Sequence, residues 1–352
     1  MEELLFKVEA LTSRIVDPGG SPVDKPVEIR TDPITGRTAR VTFARAAEKE
    51  TGTDALPAPP PAAKEQATCP FCEPQLKMQT PTLPDGLGHT ERLELGTSTL
   101  FPNLFPYGRY SAVSLFDNRH FVEIGQASVK SYTNSFRNCR NYLNRVLASD
   151  REAVYMAVTQ NHLPSAGGSL VHPHLQVHAD RYPPNYMRFL EARTGAYQSE
   201  IGRSLFSDYL THEQADGTRW IGRTGDWHWL AAFAPEGFFE IWGLLPGIYS
   251  LFDLDEGNWN NLARGVLNVQ KFYRSLHRNG YNLGLLAVEN SASRLELRMR
   301  ILARSNYAPW VRNDHTGYEV MLGDMATFNA PEETAELARP FFQGNYESKH
   351  DG

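Results

Sequence analysis

Three histidines and a glutamine alternate along His172-Pro-His174-Leu-Gln176-Val-His178, directly after the turn Gly167-Gly168-Ser169. Side chains alternate across a β-strand, so a strand over 170–178 aims His172, His174, Gln176 and His178 at one face. Four polar or ionisable groups on one face suit a structural strand poorly. A neutral imidazole is a competent nucleophile near pH 7, and its phosphoramidate is labile enough to pass a group onward. The paired glycines let backbone N–H groups approach an anion closely. The segment therefore reads as a phosphate site with an imidazole aimed at phosphorus. A row of surface histidines on an edge strand is the plainer alternative, and three of them behind a Gly-Gly-Ser turn weigh against it.

A second constellation is Cys69-Pro-Phe-Cys72. Two thiolates at this spacing suit one tetrahedral zinc, and His120 and His172 are the candidates to complete a Cys2His2 set. Four protein ligands leave no open position for water, so such a zinc is structural. Redox use and inert thiols are the competing readings of a single C-x-x-C. Arg298 and Arg300 share a face of a predicted strand, where they either meet an anion or form ion pairs. Trp227-His228-Trp229 and Phe238-Phe239 read as core or interface filling.

The elements that position these groups form two similar blocks. In the first, strand-like 111–116 precedes a helix over 128–147 and strands over 153–158 and 170–177. In the second, strand-like 229–233 and 239–245 precede a helix capped by Asp255 and reaching His277. Its apolar stripe is Leu262, Val266, Val269, Phe272, Tyr273 and Leu276. Strands over 283–288 and 295–302 follow. The shared order implies a duplicated α+β unit, mainly antiparallel sheet with flanking helices. Three regions follow: residues 1–68, an N-terminal segment ending in a Pro/Ala-rich linker; 69–200, a first half carrying the site; and 201–352, a second half. Within the first region, 30–36 reads as a turn and 38–43 as a short strand.

Bulk properties narrow the function classes. The 352 residues are 41% hydrophobic and 22% charged, as in an ordinary globular protein. A net charge of -6 argues against a general nucleic-acid or anionic-membrane binder. Three cysteines cannot build a disulfide framework and fit a reducing compartment. The acidic N-terminus is unlike a secretory signal. No stretch approaches the ~18 apolar residues of a membrane span, so a cytoplasmic location is expected. There is no Walker loop or dinucleotide fingerprint, and no organic cofactor is expected.

With these residues in place, the chain resembles the galactose-1-phosphate uridylyltransferase family of the histidine-triad superfamily. The likeness runs through Arg30-x-Asp-Pro-x-Thr-Gly36 with Arg45-Ala46, Cys69-Pro-Phe-Cys72, Phe101-x-Asn103-x-Phe105 and Asp117-x-x-His120. It continues through Asn161 to Gln176 without a gap, then Ala215-Asp-Gly-Thr-Arg219 and Gly317-Tyr318-Glu319. The resemblance implies that His174 attacks the α-phosphorus of a sugar nucleotide and carries the nucleotidyl group to a second sugar phosphate in a ping-pong cycle. It implies that Gln176 and Ser169 hold phosphoryl oxygens and that Asn161, Gly167 and Gly168 line the phosphate pocket. Asn103 and Arg45 would meet the substrate. His172, His120, Cys69 and Cys72 would bind one structural zinc, and the protein would be a homodimer. Three positions depart from the family pattern. Leu104 replaces an Asp after Asn103, Arg298-Met-Arg300 replaces a His-x-His of a second metal site, and Met325 replaces a sugar-contacting Gln. Two other readings stand beside transfer to a sugar phosphate. One is a phosphorylase of dinucleoside polyphosphates or ADP-sugars using the same histidine, and the other is a catalytically idle zinc-containing nucleotide-binding module.

Overall fold

The computed structural model of the chain describes residues 4–43, 56–87, 91–306 and 314–343. Arg45 and Ala46 lie outside the described residues. The chain opens with a hairpin of β1 (Lys7–Val16) and β2 (Pro22–Thr31), then β3 (Thr38–Val41) and the short helix α1 (Gln75–Gln79). There follow β4 (Leu93–Leu95), β5 (Ser98–Pro102), β6 (Tyr110–Leu115), the long helix α2 (Val129–Ser149), β7 (Tyr155–His162) and β8 (His174–Asp180). Helices α3 (Asn185–Ile201) and α4 (Leu205–Asp216) lead into β9 (Trp220–Thr224), β10 (Trp227–Ala231) and β11 (Phe238–Leu244). The long helix α5 (Glu256–Ser275), β12 (Gly280–Val288) and β13 (Arg298–Arg304) come next, then α6 (Gly317–Leu322), β14 (Met325–Thr327) and α7 (Pro331–Ala338).

Ten strands form one antiparallel sheet in the order β4-β5-β6-β8-β7-β12-β13-β11-β10-β9. The duplicated α+β unit is visible in that order. Each half contributes five neighbouring strands and one long helix, and the halves meet where β7 pairs with β12. Both long helices lie on the same face. Tyr132, Phe136, Leu143 and Val146 of α2, and Leu262, Val266, Val269, Phe272 and Tyr273 of α5, are buried against Met156, Val158, Leu175, Val177, Leu283 and Leu285. The helix starts are explained by capping. Ser128 accepts from the Ser131 N–H at 3.0 Å, and Asp255 and Asn258 cap each other reciprocally.

The opposite face is divided. Over the second half, Met187 and Leu190 of α3 and Leu205, Phe206 and Tyr209 of α4 pack on Leu230, Trp242 and Leu244. Over the first half, a small cluster of Leu76, Phe101, Val113 and Leu115 seats the segment that carries the cysteines. The N-terminal segment is more than a linker: β1, β2 and β3 form a second sheet that closes on β14 in parallel. Buried Arg30 of β2 joins it to the body. Its guanidinium meets Glu332 at 2.8 Å, and Glu332 also receives Arg219 at 2.9 Å, which in turn pairs with the fully buried Glu213 and with Asp216. Among the described residues no helix is long and apolar enough to cross a membrane.

The strand boundaries depart from expectation at the histidine run. The strand begins at His174, so 170–173 stays outside the ladder and His172 does not share a sheet face with His174. Pro173 accounts for this, since it has no N–H to donate to a ladder. Trp227 and Trp229 are fully buried, as core filling requires.

Trp229 fixes how α5 seats on the sheet. Its indole lies against Gly265, where a Cβ would overlap the ring, and 2.9 Å from the position a Cβ would take on Gly243. Gly265→Ala would gain ~1 kcal/mol of helix propensity, but overpacking against a fully buried indole costs about 1–3 kcal/mol. Denaturant unfolding should therefore find the variant less stable than the wild type. A more stable Gly265→Ala protein would contradict this packing.

Candidate active site and metal-ligand cluster

Cys69, Cys72, His120 and His172 converge, with one ligand atom from each lying within 4.8 Å of the others. The Cys72 thiol is 3.4 Å from Nδ1 of both His120 and His172, and the Cys69 thiol is 3.9 Å from Nδ1 of His172. A zinc with bonds of ~2.3 Å to sulfur and ~2.0 Å to nitrogen places tetrahedral S and N ligands roughly 3.6 Å apart. The donor spacing therefore fits one tetrahedral ion. The far sides of both rings are already engaged: Nε2 of His120 donates to the Ala62 carbonyl at 2.8 Å, and Nε2 of His172 to that of Asp117 at 3.2 Å. Each ring thus presents an unprotonated Nδ1 inward. Burial keeps His172 neutral by pushing its pKa down to about 4. Burial and the neighbouring Cys69 push the Cys72 thiol up to about 12. A cation held between the cysteines would relieve the cost of ionising Cys72.

The cluster adjoins His174 directly. Phe71, between the two cysteines, sets its ring edge-on to His174 at 5.3 Å and to Phe101 at 5.3 Å. His174 is buried, which holds its pKa below the ordinary imidazole value. Its Nδ1–H donates to the His172 carbonyl at 2.7 Å. That bond fixes the tautomer and leaves the Nε2 lone pair for an electrophile.

Gln176 follows His174 on the same sheet face; the β7–β8 ladder sets Thr159 opposite Gln176, and Asn161, two residues further along β7, donates from Nδ2 to Gln176 Oε1 at 3.4 Å. His178 continues the row; it lies 3.5 Å from the Ser111 hydroxyl and stacks with exposed Tyr107 at 6.1 Å. Between β7 and β8 the chain makes a tight turn. Leu163 and Gly167 adopt left-handed backbone angles (φ 71° and 85°), and a Cβ on Gly168 would come 2.8 Å from the Asn161 carbonyl. The paired glycines predict N–H groups offered to an anion. Instead the Gly167 and Gly168 N–H groups close the turn onto the Pro164 and Leu163 carbonyls, and what the glycines supply is close approach of the backbone. Ser169 is exposed on the same turn.

Other expected residues are placed differently. Asn103 folds its side chain onto the Phe105 N–H at 3.0 Å, holding a loop on which Leu104, Phe105 and Tyr107 are exposed. Arg300 is tied to Glu240 at 2.5 Å and to Glu236 at 3.1 Å. Arg298 is buried over the Trp242 ring at 4.5 Å and donates to the Tyr186 hydroxyl at 2.6 Å. Both guanidiniums are therefore engaged within the protein. Met325 is buried in β14. Arg30 and Arg219, two landmarks of the resemblance, serve the ionic joint at Glu332.

Sequence reasoning missed Asn282 of β12. It stands opposite Asn161 in the ladder; its Nδ2 donates to Asn161 Oδ1 at 2.6 Å and to the Ala166 carbonyl at 2.9 Å. Its Oδ1 accepts from Arg304 at 2.7 Å, and Asp314 grips Arg304 with both oxygens at 2.7 and 2.8 Å. Asn282 falls just outside the strand expected over 283–288, and an isolated Asn carries no motif.

Comparison with known proteins matches this architecture. An ADP-glucose phosphorylase from Arabidopsis thaliana, solved with bound ADP-glucose, has a TM-score of 0.67 at 19% identity, over 89% of this chain and 98% of its own. A uridylyltransferase mutant structure has a TM-score of 0.65 at 16% identity, over 91% of this chain and 99% of its own. An uncharacterized protein of Archaeoglobus fulgidus is 25% identical over 334 residues, covering 95% of this chain and 98% of that protein. No family model matches the chain. By its architecture, then, the chain has the α+β fold seen in the ADP-glucose phosphorylase and uridylyltransferase structures.

Proposed function

We propose that the protein is a nucleotidyltransferase that moves a nucleotidyl group between sugar 1-phosphates through a covalent intermediate on His174. The observation that carries this reading is the one-sided anchoring of His174: Nδ1–H is bound to the His172 carbonyl, which leaves the Nε2 lone pair free, on the strand that also carries Gln176. Nε2 attacks the α-phosphorus of a sugar nucleotide. A P–N bond forms, the P–O bond to the sugar phosphate breaks, and the electron pair leaves with the sugar 1-phosphate. The nucleotidyl imidazolium keeps its proton on Nδ1, where the His172 carbonyl stabilises the added charge. An oxygen of the incoming acceptor then attacks phosphorus and the P–N bond breaks, so no proton is gained or lost over the cycle.

Gln176 and Ser169 hold the phosphoryl oxygens as charge shifts, and Asn161, Gly167 and Gly168 shape the pocket. Asn103 and the exposed loop after it would meet the substrate. Zinc is the ion that suits two thiolates and two imidazoles, held by Cys69, Cys72, His120 and His172. Bound there, it cross-links the Cys segment to the backbone just before His174. With four protein ligands its contribution is structural.

Two measurements test this account. Elemental analysis should find about one zinc per chain, and Cys69→Ser and Cys72→Ser should each lose it and melt at lower temperature. A fully metallated Cys72→Ser protein would refute the ligand set. In the second, UDP-, ADP-, GDP- and TDP-sugars are each incubated with labelled sugar 1-phosphate, and the label should exchange into one sugar nucleotide without net consumption. His174→Ala should lower that exchange by roughly 10⁴-fold or more. Supplying inorganic phosphate as acceptor separates transfer from phosphorolysis: nucleoside diphosphate release with phosphate alone would make the enzyme a phosphorylase.

A further inference from the structure

Hydrogen-bond polarity runs unbroken from the second half of the chain into the nucleophile's pocket. A guanidinium has donors and no acceptor, so the atom of Asn282 facing Arg304 at 2.7 Å must be the amide oxygen. The Asn282 amide nitrogen therefore faces the other way. The Ala166 carbonyl at 2.9 Å, which only accepts, agrees with that assignment. Asn161 must then offer its oxygen to Asn282 at 2.6 Å and turn its own amide nitrogen to Gln176. Gln176 is left with its oxygen toward Asn161 and its NH2 toward the pocket. Each amide along the chain has a single allowed orientation, and Arg304 sets the first. Asp314 fixes Arg304 in turn, through both carboxylate oxygens and a further bond from the Ser305 N–H at 2.9 Å.

The polarity matters because a phosphoryl oxygen accepts hydrogen bonds and never donates them when ionised. A Gln176 turned the other way would aim a carbonyl oxygen at a phosphate. The same relay holds the turn: Asn282 anchors the Ala166 carbonyl, and a Cβ on Gly280 would meet Ser165 Oγ, so the first residues of β12 sit directly against that turn.

We infer that Asn282, held by Arg304 and Asp314, is a positioning residue for nucleotidyl transfer: it orients the Asn161 and Gln176 amides so that Gln176 presents N–H donors to the phosphate. The inference rests on the transfer reading above but has a readout of its own. Asn282→Asp is the informative variant. It keeps the shape and still accepts from Arg304, but it offers no N–H to Asn161 or to the Ala166 carbonyl. Asn161 then turns its amide nitrogen toward the new carboxylate, and Gln176 reverses, showing its oxygen to the phosphate.

The variant should keep the wild-type zinc content and KM while kcat falls roughly 10–100-fold, with a lower melting temperature as the Ala166 carbonyl loses its donor. In a Gln176→Ala background the same substitution should lower kcat by less than about threefold, because the group through which it acts is gone. An unchanged kcat, or an equal loss in both backgrounds, would overturn the inference. Amide NMR of protein labelled with 15N-glutamine gives a test free of turnover. Inorganic phosphate should shift the Gln176 side-chain NH2 signals in the wild type and leave them in place in Asn282→Asp. A wild-type Gln176 signal indifferent to phosphate would overturn the inference even if transfer is observed. Absent turnover with the expected NMR shifts would instead count against the covalent transfer alone.

Discussion

The pairing of β7 with β12 is the constraint on which the site depends. It joins the two halves of the sheet in a register that sets Asn161 opposite Asn282, Thr159 opposite Gly284 and Val158 opposite Leu285. A slip of one residue would turn every side chain of one strand to the other face. Beneath the seam, the buried hydroxyls of Tyr132 and Tyr281 meet at 2.8 Å, and both bond Gln160 while Gln270 donates to Tyr132 at 2.6 Å. These four residues come from α2, β12, β7 and α5, so one polar knot ties both long helices to both central strands. Buried polar groups satisfied in this way specify a single arrangement, because any shifted register leaves several of them unpaired in an apolar layer.

Two histidines separated by one proline do different work for a physical reason. Pro173 keeps His172 out of the ladder, and the His172 ring turns to the cysteines while its carbonyl turns to His174. His174, the first residue of β8, points to the open face of the sheet. The metal cluster and the nucleophile therefore share one backbone segment, and Phe71 gives them a common wall. Order imposed on the cysteines is passed to His174 within two residues.

Much of this is legible in the chain. Cys69, Cys72, His120 and His172 are residue types with few other reasons to be buried together, and the helices at 128–147 and 256–275 carry strong apolar periodicity and N-terminal caps. Helices α3 and α4 escape a pattern reading because their buried stripes, though helically spaced, include polar Thr194 in α3 and Glu213 in α4 and so carry a weak apolar signal. The β1–β2 hairpin escapes it because β1 is exposed along both faces, so burial imposes no alternation on its sequence. The strand that carries the histidine face starts four residues later than the alternation suggests, since the pattern alone does not say that Pro173 still belongs to the loop. Asn282 is invisible for a different reason. Its meaning lies in what stands across the ladder and behind it, Asn161, Arg304 and Asp314, which no local pattern encodes.

The central claim is that His174 Nε2 becomes covalently bonded to phosphorus. Intact-mass measurement after incubation with an accepted sugar nucleotide, followed by peptide mapping, tests it most directly. The account predicts a gain of one nucleotidyl group on the peptide containing His174, lost on adding the acceptor and missing from His174→Ala. An unmodified wild-type protein under turnover, or a nucleotidyl group retained by His174→Ala, would contradict it.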